Sequence, residues 1–68
     1  METPLFTLGT RYAIPNGRNV DICTYEGPDS QANHWFKAAR PGDQDYHLGG
    51  NHPLLLSILP AATALVRP

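Results

Sequence analysis

Proline and glycine are the residues that most limit the folds open to this chain. Seven prolines and six glycines are spread over 68 residues, and they divide the chain into pieces of the length typical of β-strands. No long segment carries apolar residues at the spacing that an amphipathic helix requires. The sequence therefore predicts a mainly β protein built from short strands and tight turns.

Turn signals separate a series of short segments with strand character. Asn-Gly, Pro-Gly and Gly-Gly pairs mark reversals, because glycine and asparagine accept the positive φ values that tight turns need. The predicted strands are Thr10–Ile14, Val20–Glu26, His34–Ala39, Tyr46–Leu48, Leu54–Leu59 and Ala64–Arg67. The turn at residues 41–43 predicts a β-hairpin between the third and fourth of them. The polar stretch from residue 27 to residue 33 predicts an exposed loop.

The second predicted strand alternates regularly between two sets of side chains. One face carries Val20, Ile22 and Thr24, and the other carries Asp21, Cys23 and Tyr25. This period of two is typical of a strand with one side toward a core. Each set contains apolar members, so the pattern leaves open which side faces inward.

The uncharged run over residues 53–66 holds the densest block of apolar side chains. Its large members are Leu54, Leu55, Leu56, Ile58 and Leu59. The run is too short to span a bilayer, which takes about 20 apolar residues, and Pro60 would break a single helix. We interpret it as the last two predicted strands joined by a tight turn at Pro60. Leu55 or Leu56, together with Ile58, is predicted to point inward.

Short strands in a small domain must bend, because a flat open sheet leaves unpaired backbone groups. We predict one mainly β domain over residues 1–68, either a strongly bent antiparallel sheet of five or six strands or an SH3-like barrel, with a proline-initiated turn near the C-terminus. The alternative is a compact α+β fold in which Pro60–Val66 forms a short helix, since proline is allowed in a first turn. A chain this short is marginally stable alone, so self-association or a larger partner is expected.

The charge balance gives little support to nucleic-acid binding. Five basic and six acidic side chains give a formal net charge of −1, whereas affinity for nucleic acid depends on clustered Lys and Arg. Such a surface requires the fold to gather Arg18, Lys37 and Arg40 around Trp35. A nucleic-acid-associated barrel is therefore the alternative function and not the preferred one.

The ionisable side chains lack the spacing of a catalytic or metal site. Cys23 is the single cysteine, which excludes an intrachain disulfide, and the three histidines do not have the spacing of zinc ligands. Asp43 and Asp45 lack the further oxygen ligands of a calcium loop, and we interpret them as caps of a hairpin turn. We expect no catalytic residue, no metal and no cofactor.

Aromatic residues on the predicted strands are the best candidates for binding. Trp35 and Phe36 are adjacent, so in a strand they point to opposite faces and only one enters the core. Because large aromatic residues favour burial, a competing interpretation makes Trp35 the main core residue. An exposed aromatic surface beside Lys37 would bind a proline-rich or extended peptide. The predicted binding residues are Tyr12, Tyr25, Trp35, Lys37, Arg40 and Tyr46.

Small size, missing catalytic motifs and a surplus of aromatic residues favour a non-catalytic protein-binding module. Such modules are common among accessory, regulatory and inhibitor proteins, including those of phages and plasmids. The expected partner is another protein or a second copy of the chain. The second alternative is a small oligomeric enzyme with its site on a symmetry axis. Since the sequence shows neither a secretory signal nor a membrane segment, a cytoplasmic location is expected.

Overall fold

A single antiparallel sheet forms the framework of the molecule. The computed structural model describes residues 6–62. Its strands are β1 (Arg11–Asn16), β2 (Asn19–Pro28), β3 (His34–Ala38), β4 (Tyr46–Leu48) and β5 (Leu59–Pro60). They lie in the order β4-β3-β2-β1-β5. The predicted mainly β architecture is confirmed as a five-stranded sheet, and this sheet is not closed, since β4 and β5 are its two outer strands within the described residues.

A glycine at the tip determines the first hairpin. β1 and β2 pair up to Asn16 and Asn19, which leaves Gly17 and Arg18 as the connecting loop. Gly17 has a φ of +62°, the positive value that a tight hairpin turn with glycine at its first position requires. The predicted strand ended at Ile14, whereas β1 continues to Asn16 because the turn itself is shorter than expected.

The hairpin of β3 and β4 confirms the predicted pairing of these segments. Its register joins Trp35 to His47 and Phe36 to Tyr46. Because side chains alternate along a strand, Phe36 enters the core at 1% exposure while Trp35 remains 43% exposed on the other face. The interpretation of Trp35 as the main core residue is therefore wrong.

Two aspartates tie the loop between β3 and β4 to the sheet. Asp43 Oδ2 accepts a hydrogen bond from the amide of Ile22, and Asp45 Oδ1 accepts one from the amide of Ala38, each at 2.8 Å. Asp43 also pairs with the guanidinium of Arg40 at 2.8 Å. The bond from Arg40, followed by that from the Ile22 amide, lowers the pKa of Asp43. Asp45 caps the end of β3 in the hairpin, as predicted, whereas Asp43 joins the hairpin loop to β2.

Aromatic and aliphatic side chains fill the inner face of the sheet. The core consists of Phe6, Tyr12, Ile14, Cys23, Tyr25, Phe36, Leu48, Leu55 and Ile58. The ring of Phe6 meets those of Tyr12 and Phe36 edge-on, with centroids 5.1 Å apart in each pair, an arrangement that stabilises aromatic clusters. Cys23 and Tyr25 therefore define the inner face of β2.

Cys23 lies in the middle of this core and is fully buried. Its thiol donates a hydrogen bond to the carbonyl of Gln44 at 3.3 Å. Burial, followed by the nearby carboxylates of Asp21 and Asp43, raises the pKa of the Cys23 thiol from 9.0 to about 11. Because the thiolate is the nucleophilic form, a thiol held protonated serves as a packing group.

The leucine block does not form the predicted strand Leu54–Leu59, and that prediction is wrong. Pro53–Ser57 is instead a 3₁₀ helix, η1, with proline in its first turn. The His52 side chain accepts a hydrogen bond from the amide of Leu54 at 3.1 Å through Nδ1. This contact begins the helix, because it supplies a partner to an amide that has none within the helix.

The 3₁₀ helix turns one leucine inward and its neighbour outward. Leu55 is 4% exposed and Ile58 7%, whereas Leu56 is 86% exposed. Leu55 and Ile58 are separated by one turn of a 3₁₀ helix, so they fall on the same side. The prediction that Leu55 or Leu56 points inward with Ile58 is confirmed, and Leu55 is the inward residue.

The chain returns to the sheet through β5, a two-residue strand that pairs with β1. The next residues, Ala61 and Ala62, have helical backbone conformation. The predicted closing strand Ala64–Arg67 lies outside the described residues, as does most of the alternative helix Pro60–Val66. Within residues 6–62, no helix has the length and apolar character needed to cross a membrane.

Candidate functional site

The outer face of the sheet carries the only tryptophan of the chain. Trp35 lies on β3, and the imidazole of His47, its partner on β4, stacks on the indole. The ring centroids are 3.7 Å apart and the planes are 17° from parallel. Stacked aromatic pairs gain free energy beyond the area they bury, so His47 holds one face of the indole in place.

Asp29 organises the loop between β2 and β3 and fixes the edge of the indole. Its Oδ1 accepts hydrogen bonds from the amides of Gln31 at 2.8 Å and Asn33 at 3.0 Å, a local closure typical of aspartate in turns. Its Oδ2 accepts a hydrogen bond from Nε1 of Trp35 at 2.9 Å. Trp35 is thus held at its edge by Asp29 and on one face by His47.

These contacts stabilise the charged form of Asp29. The hydrogen bond from the Trp35 indole, followed by that from the Asn33 amide, lowers the pKa of Asp29 well below its ordinary value, as donors to a carboxylate do. The Nε2 atom of His47 lies 3.7 Å from Oδ2 of Asp29. A negative charge therefore sits at the edge of the indole at neutral pH.

Replacing this charge is expected to release Trp35 and to reduce the acid sensitivity of the fold. Because its folded pKa is lowered, ionised Asp29 stabilises the fold above about pH 4, and this contribution is lost as the pH falls through the folded pKa. Asp29→Asn places an amide N–H against the indole N–H. The free energies of unfolding of wild type and variant should therefore differ more at neutral pH than at about pH 2, measured by urea titration.

Asp43 also makes the fold sensitive to acid, so the test compares the free energies of unfolding of wild type and of Asp29→Asn. Its lowered pKa also makes stability fall in acid, and this effect is present in wild type and in Asp29→Asn alike. Circular dichroism follows unfolding in both, while the Trp35 emission maximum reports the release of the indole. A stability difference of the same size at both pH values would show that Asp29 has no such role.

Trp35 and His47 stand beside a groove of about 470 Å³, which we call the aromatic groove. It forms where a β-bulge between Tyr25 and Gly27 interrupts the pairing of β2 with β3, and bulges bend a strand and redirect its side chains. Its lining includes Glu26, Pro28, Asp29, Trp35, Lys37, Asp45, Tyr46 and His47. The end of β2, the middle of β3 and the outer strand β4 all contribute to it.

Acidic side chains outnumber basic ones in the aromatic groove. Glu26, Asp29 and Asp45 bring carboxylates, and Lys37 brings an ammonium group. Glu26 and Lys37 are exposed, and the two aspartates accept hydrogen bonds from uncharged N–H groups, which do not neutralise a carboxylate. The groove therefore combines aromatic surface with an excess of negative charge, which determines the sign of the local potential.

Part of the predicted binding set meets in the aromatic groove, namely Trp35, Lys37 and Tyr46. The hydroxyl of Tyr46 donates a hydrogen bond to the buried carboxylate of Asp21. Burial, followed by this bond, raises the pKa of Tyr46. Tyr46 is directly opposed to Phe36, so its ring packs against the main core on the inner face, and it borders the groove at the strand and not with a free hydroxyl.

Tyr12 and Tyr25 lie on the other side of the sheet. They are 6% and 4% exposed, and their hydroxyl groups already have partners. The Tyr12 hydroxyl accepts a hydrogen bond from the amide of Thr7 at 2.8 Å, and the Tyr25 hydroxyl bonds to Nδ1 of His34 at 2.7 Å. Both rings belong to the core, so the structure does not bring them to the groove.

Arg40 does not line the aromatic groove either. Its guanidinium is committed to Asp43 and to the carbonyl of Val20, at 2.8 and 3.1 Å. Arg18 lies at the tip of the first hairpin, at the far end of β2 from the strand segment that pairs with Trp35. Of the basic residues considered for nucleic-acid binding, the fold brings only Lys37 to the tryptophan.

Sequence reasoning missed His47, Asp29, Glu26 and Asp45 as groove residues. Directly opposed residues of an antiparallel pair share a face, so His47 would follow from Trp35 once the register of the hairpin is known. Asp29 has no such signal, because its contact with the indole depends on the conformation of the whole loop before β3. Glu26 continues the face of Val20, Ile22 and Thr24, so alternation along β2 places it on the outer face once Tyr25 is known to be buried.

The aromatic groove offers stacking, hydrogen-bond acceptors and a negative field, which are means of recognising a ligand. Within residues 6–62, no group of three or more His, Cys, Asp or Glu side chains is arranged to hold a metal ion. No protein-family model, curated protein or solved structure matches the chain. Function is therefore inferred from the chemistry of the groove.

Proposed function

We propose that this chain is a non-catalytic protein-binding module that docks an extended segment of another protein in the aromatic groove. The observation that carries the proposal is the indole of Trp35, which is fixed by two neighbours although the residue is 43% exposed. Tryptophan carries a large apolar surface, and covering it removes that surface from water. An accessory, regulatory or inhibitor role fits a module that acts by covering part of a partner.

Fixing the indole in advance favours binding. Ordering a side chain on association costs about 0.5–1.5 kcal/mol. In Trp35 the stack with His47 at 3.7 Å and the hydrogen bond to Asp29 at 2.9 Å already impose that order. Tryptophan in a well-packed pocket is a frequent site of concentrated binding energy in protein interfaces. Trp35 is therefore the expected anchor of the complex.

The outer strand next to the groove supports an extended ligand. Among the described strands, β4 is at one edge of the sheet, and two of its residues, Tyr46 and His47, line the groove. An outer strand presents backbone groups to which an extended segment can add by hydrogen bonding. Every second side chain of that segment then points to the same face as Trp35, where the groove receives it.

The acidic lining favours a protein ligand over nucleic acid. Phosphate binding depends on neutralisation by Lys and Arg, and in the groove Lys37 faces Glu26, Asp29 and Asp45. These carboxylates repel a phosphate backbone at the very position where bases would stack on Trp35. Nucleic acid therefore remains the weaker alternative.

Selection from a displayed library of random peptides tests the proposal. The wild-type chain should enrich related sequences, and Trp35→Ala should lose them, because the substitution removes the anchor without touching the inner face. Val20→Ala is a matched control, since Val20 is 45% exposed at the opposite end of β2 and lies outside the groove. It should enrich the same sequences as wild type. No enrichment by wild type, or equal enrichment by Trp35→Ala, would overturn the proposal.

A further inference from the structure

The charges around Trp35 specify the chemistry of the partner. We infer that the aromatic groove selects a basic segment, with an arginine or lysine side chain placed against the indole of Trp35 and within reach of the groove carboxylates. This inference rests on the proposed function, because it assumes that the groove receives a peptide. Beyond peptide binding, it specifies the sign of the peptide's charge and the groove residues that recognise this charge.

The first support is negative charge that has no basic partner among residues 6–62. Within residues 6–62, the ion pairs of the carboxylates are Arg40–Asp43 and the histidine contact of Asp29. Neither Glu26 nor Asp45 has a Lys or Arg partner within the described part of the chain. Hydrogen bonds from uncharged N–H groups orient a carboxylate and leave its charge in place, so the groove attracts a cation.

The second support is the exposed indole itself. A cation placed over an aromatic ring is attracted by the ring quadrupole, and tryptophan gives the strongest attraction of the aromatic residues. Asp29 bonds directly to the indole nitrogen at 2.9 Å, so a negative charge lies next to the ring that would receive the cation. Arginine fits both features, because its planar guanidinium stacks on aromatic rings and bonds to carboxylates.

Lys37 limits where the basic side chain is placed. It lies two positions from Trp35 on β3 and so points to the same face of the sheet. Its ammonium group repels a ligand cation near that end of the groove, whereas Glu26 attracts one. The inference therefore predicts opposite effects when these two charges are removed one at a time.

Three capped peptides of equal length test the inference, each alternating threonine with arginine, glutamine or glutamate. Because Trp35 is the only tryptophan, its fluorescence reports occupation of the groove. The arginine peptide is expected to bind most tightly, with an affinity that falls as salt is added. The glutamine peptide should bind more weakly and the glutamate peptide not at all.

Variants that each remove one charge identify the groove residues that recognise the charge of the peptide. For the arginine peptide, Glu26→Gln should weaken binding and Lys37→Gln should strengthen it, each by about 1.4- to 5-fold, the range of one exposed charge pair. Arg18→Gln changes the net charge of the chain by the same amount as Lys37→Gln, at the tip of the first hairpin. It should leave the affinity unchanged, which separates contact in the groove from the effect of overall charge.

The outcomes distinguish this inference from the proposed function. Equal affinity for the arginine and glutamine peptides would overturn the charge selectivity and leave peptide binding intact. The same conclusion follows if the random library yields Trp35-dependent sequences that are neutral or acidic. A library without any Trp35-dependent sequence would overturn both.

Discussion

Phe36→Ala is expected to leave the chain largely unfolded at room temperature. Phe36 is 1% exposed, and its ring packs against Phe6 and Tyr25 with centroids 5.1 and 5.2 Å apart. Truncating a buried phenylalanine costs about 3–5 kcal/mol. A single core in a domain of this size rarely supplies more than about 3–5 kcal/mol. The loss therefore matches the whole free energy of unfolding.

Trp35→Ala is the matched control for this result, since it removes a larger ring one position away on the opposite face of β3. It loses the stack on His47 and the hydrogen bond to Asp29, each worth about 0.5–1.5 kcal/mol, so it should still unfold cooperatively. Far-UV circular dichroism and thermal melting compare the two variants. Equal melting temperatures would contradict the assignment of the inner and outer faces of β3.

The sequence was sufficient to predict the tight turns and the hairpin of β3 and β4. Gly17 and Gly42 have φ values of +62° and +89°, and such positions are marked by residue type alone. Turn chemistry then pairs the strands on either side, as it does for β3 and β4. The pairing of β5 with β1 joins segments far apart in the chain, and no local pattern indicates it.

The sequence was insufficient wherever apolar residues occupy both faces of an element. In β2, Cys23 and Tyr25 belong to the main core, while Ile22 packs in a smaller cluster with Ala13 and Ala61 on the outer face. Hydrophobicity alone does not distinguish these faces, because both are partly covered. The packing of Phe6 on the inner face decides between them, and that contact is made by a residue outside the strands.

Of the residues that line the groove, Trp35 and Lys37 were among those predicted for binding, whereas His47, Asp29 and Glu26 were not. Alternation along β3 separates Trp35 from Phe36, and this local rule holds. The stack with His47 requires the register of the hairpin, and the bond to Asp29 requires a specific loop conformation. Residue types and spacing determine neither. The burial of Tyr12 was not predicted for a similar reason, since a strand pattern identifies two faces without saying which one is covered.

The leucine block gives the sharpest contrast between two adjacent substitutions. Leu55→Ala is expected to destabilise the fold by about 2–5 kcal/mol, the cost of truncating a buried leucine, because Leu55 is 4% exposed. Leu56→Ala should change stability by no more than about 0.5 kcal/mol, because Leu56 is 86% exposed. Both variants have the same composition, so they differ only in which leucine is lost.

Thermal melting of the two variants also tests the structure of the segment. In an extended strand Leu56 and Ile58 would share a face, since side chains alternate with a period of two. In a 3₁₀ helix Leu55 lies one turn before Ile58 and shares its side. A melting temperature lowered by Leu56→Ala and unchanged by Leu55→Ala would therefore indicate a strand. The reverse result is expected, because Pro53 and the His52 side chain begin the helix immediately before these leucines.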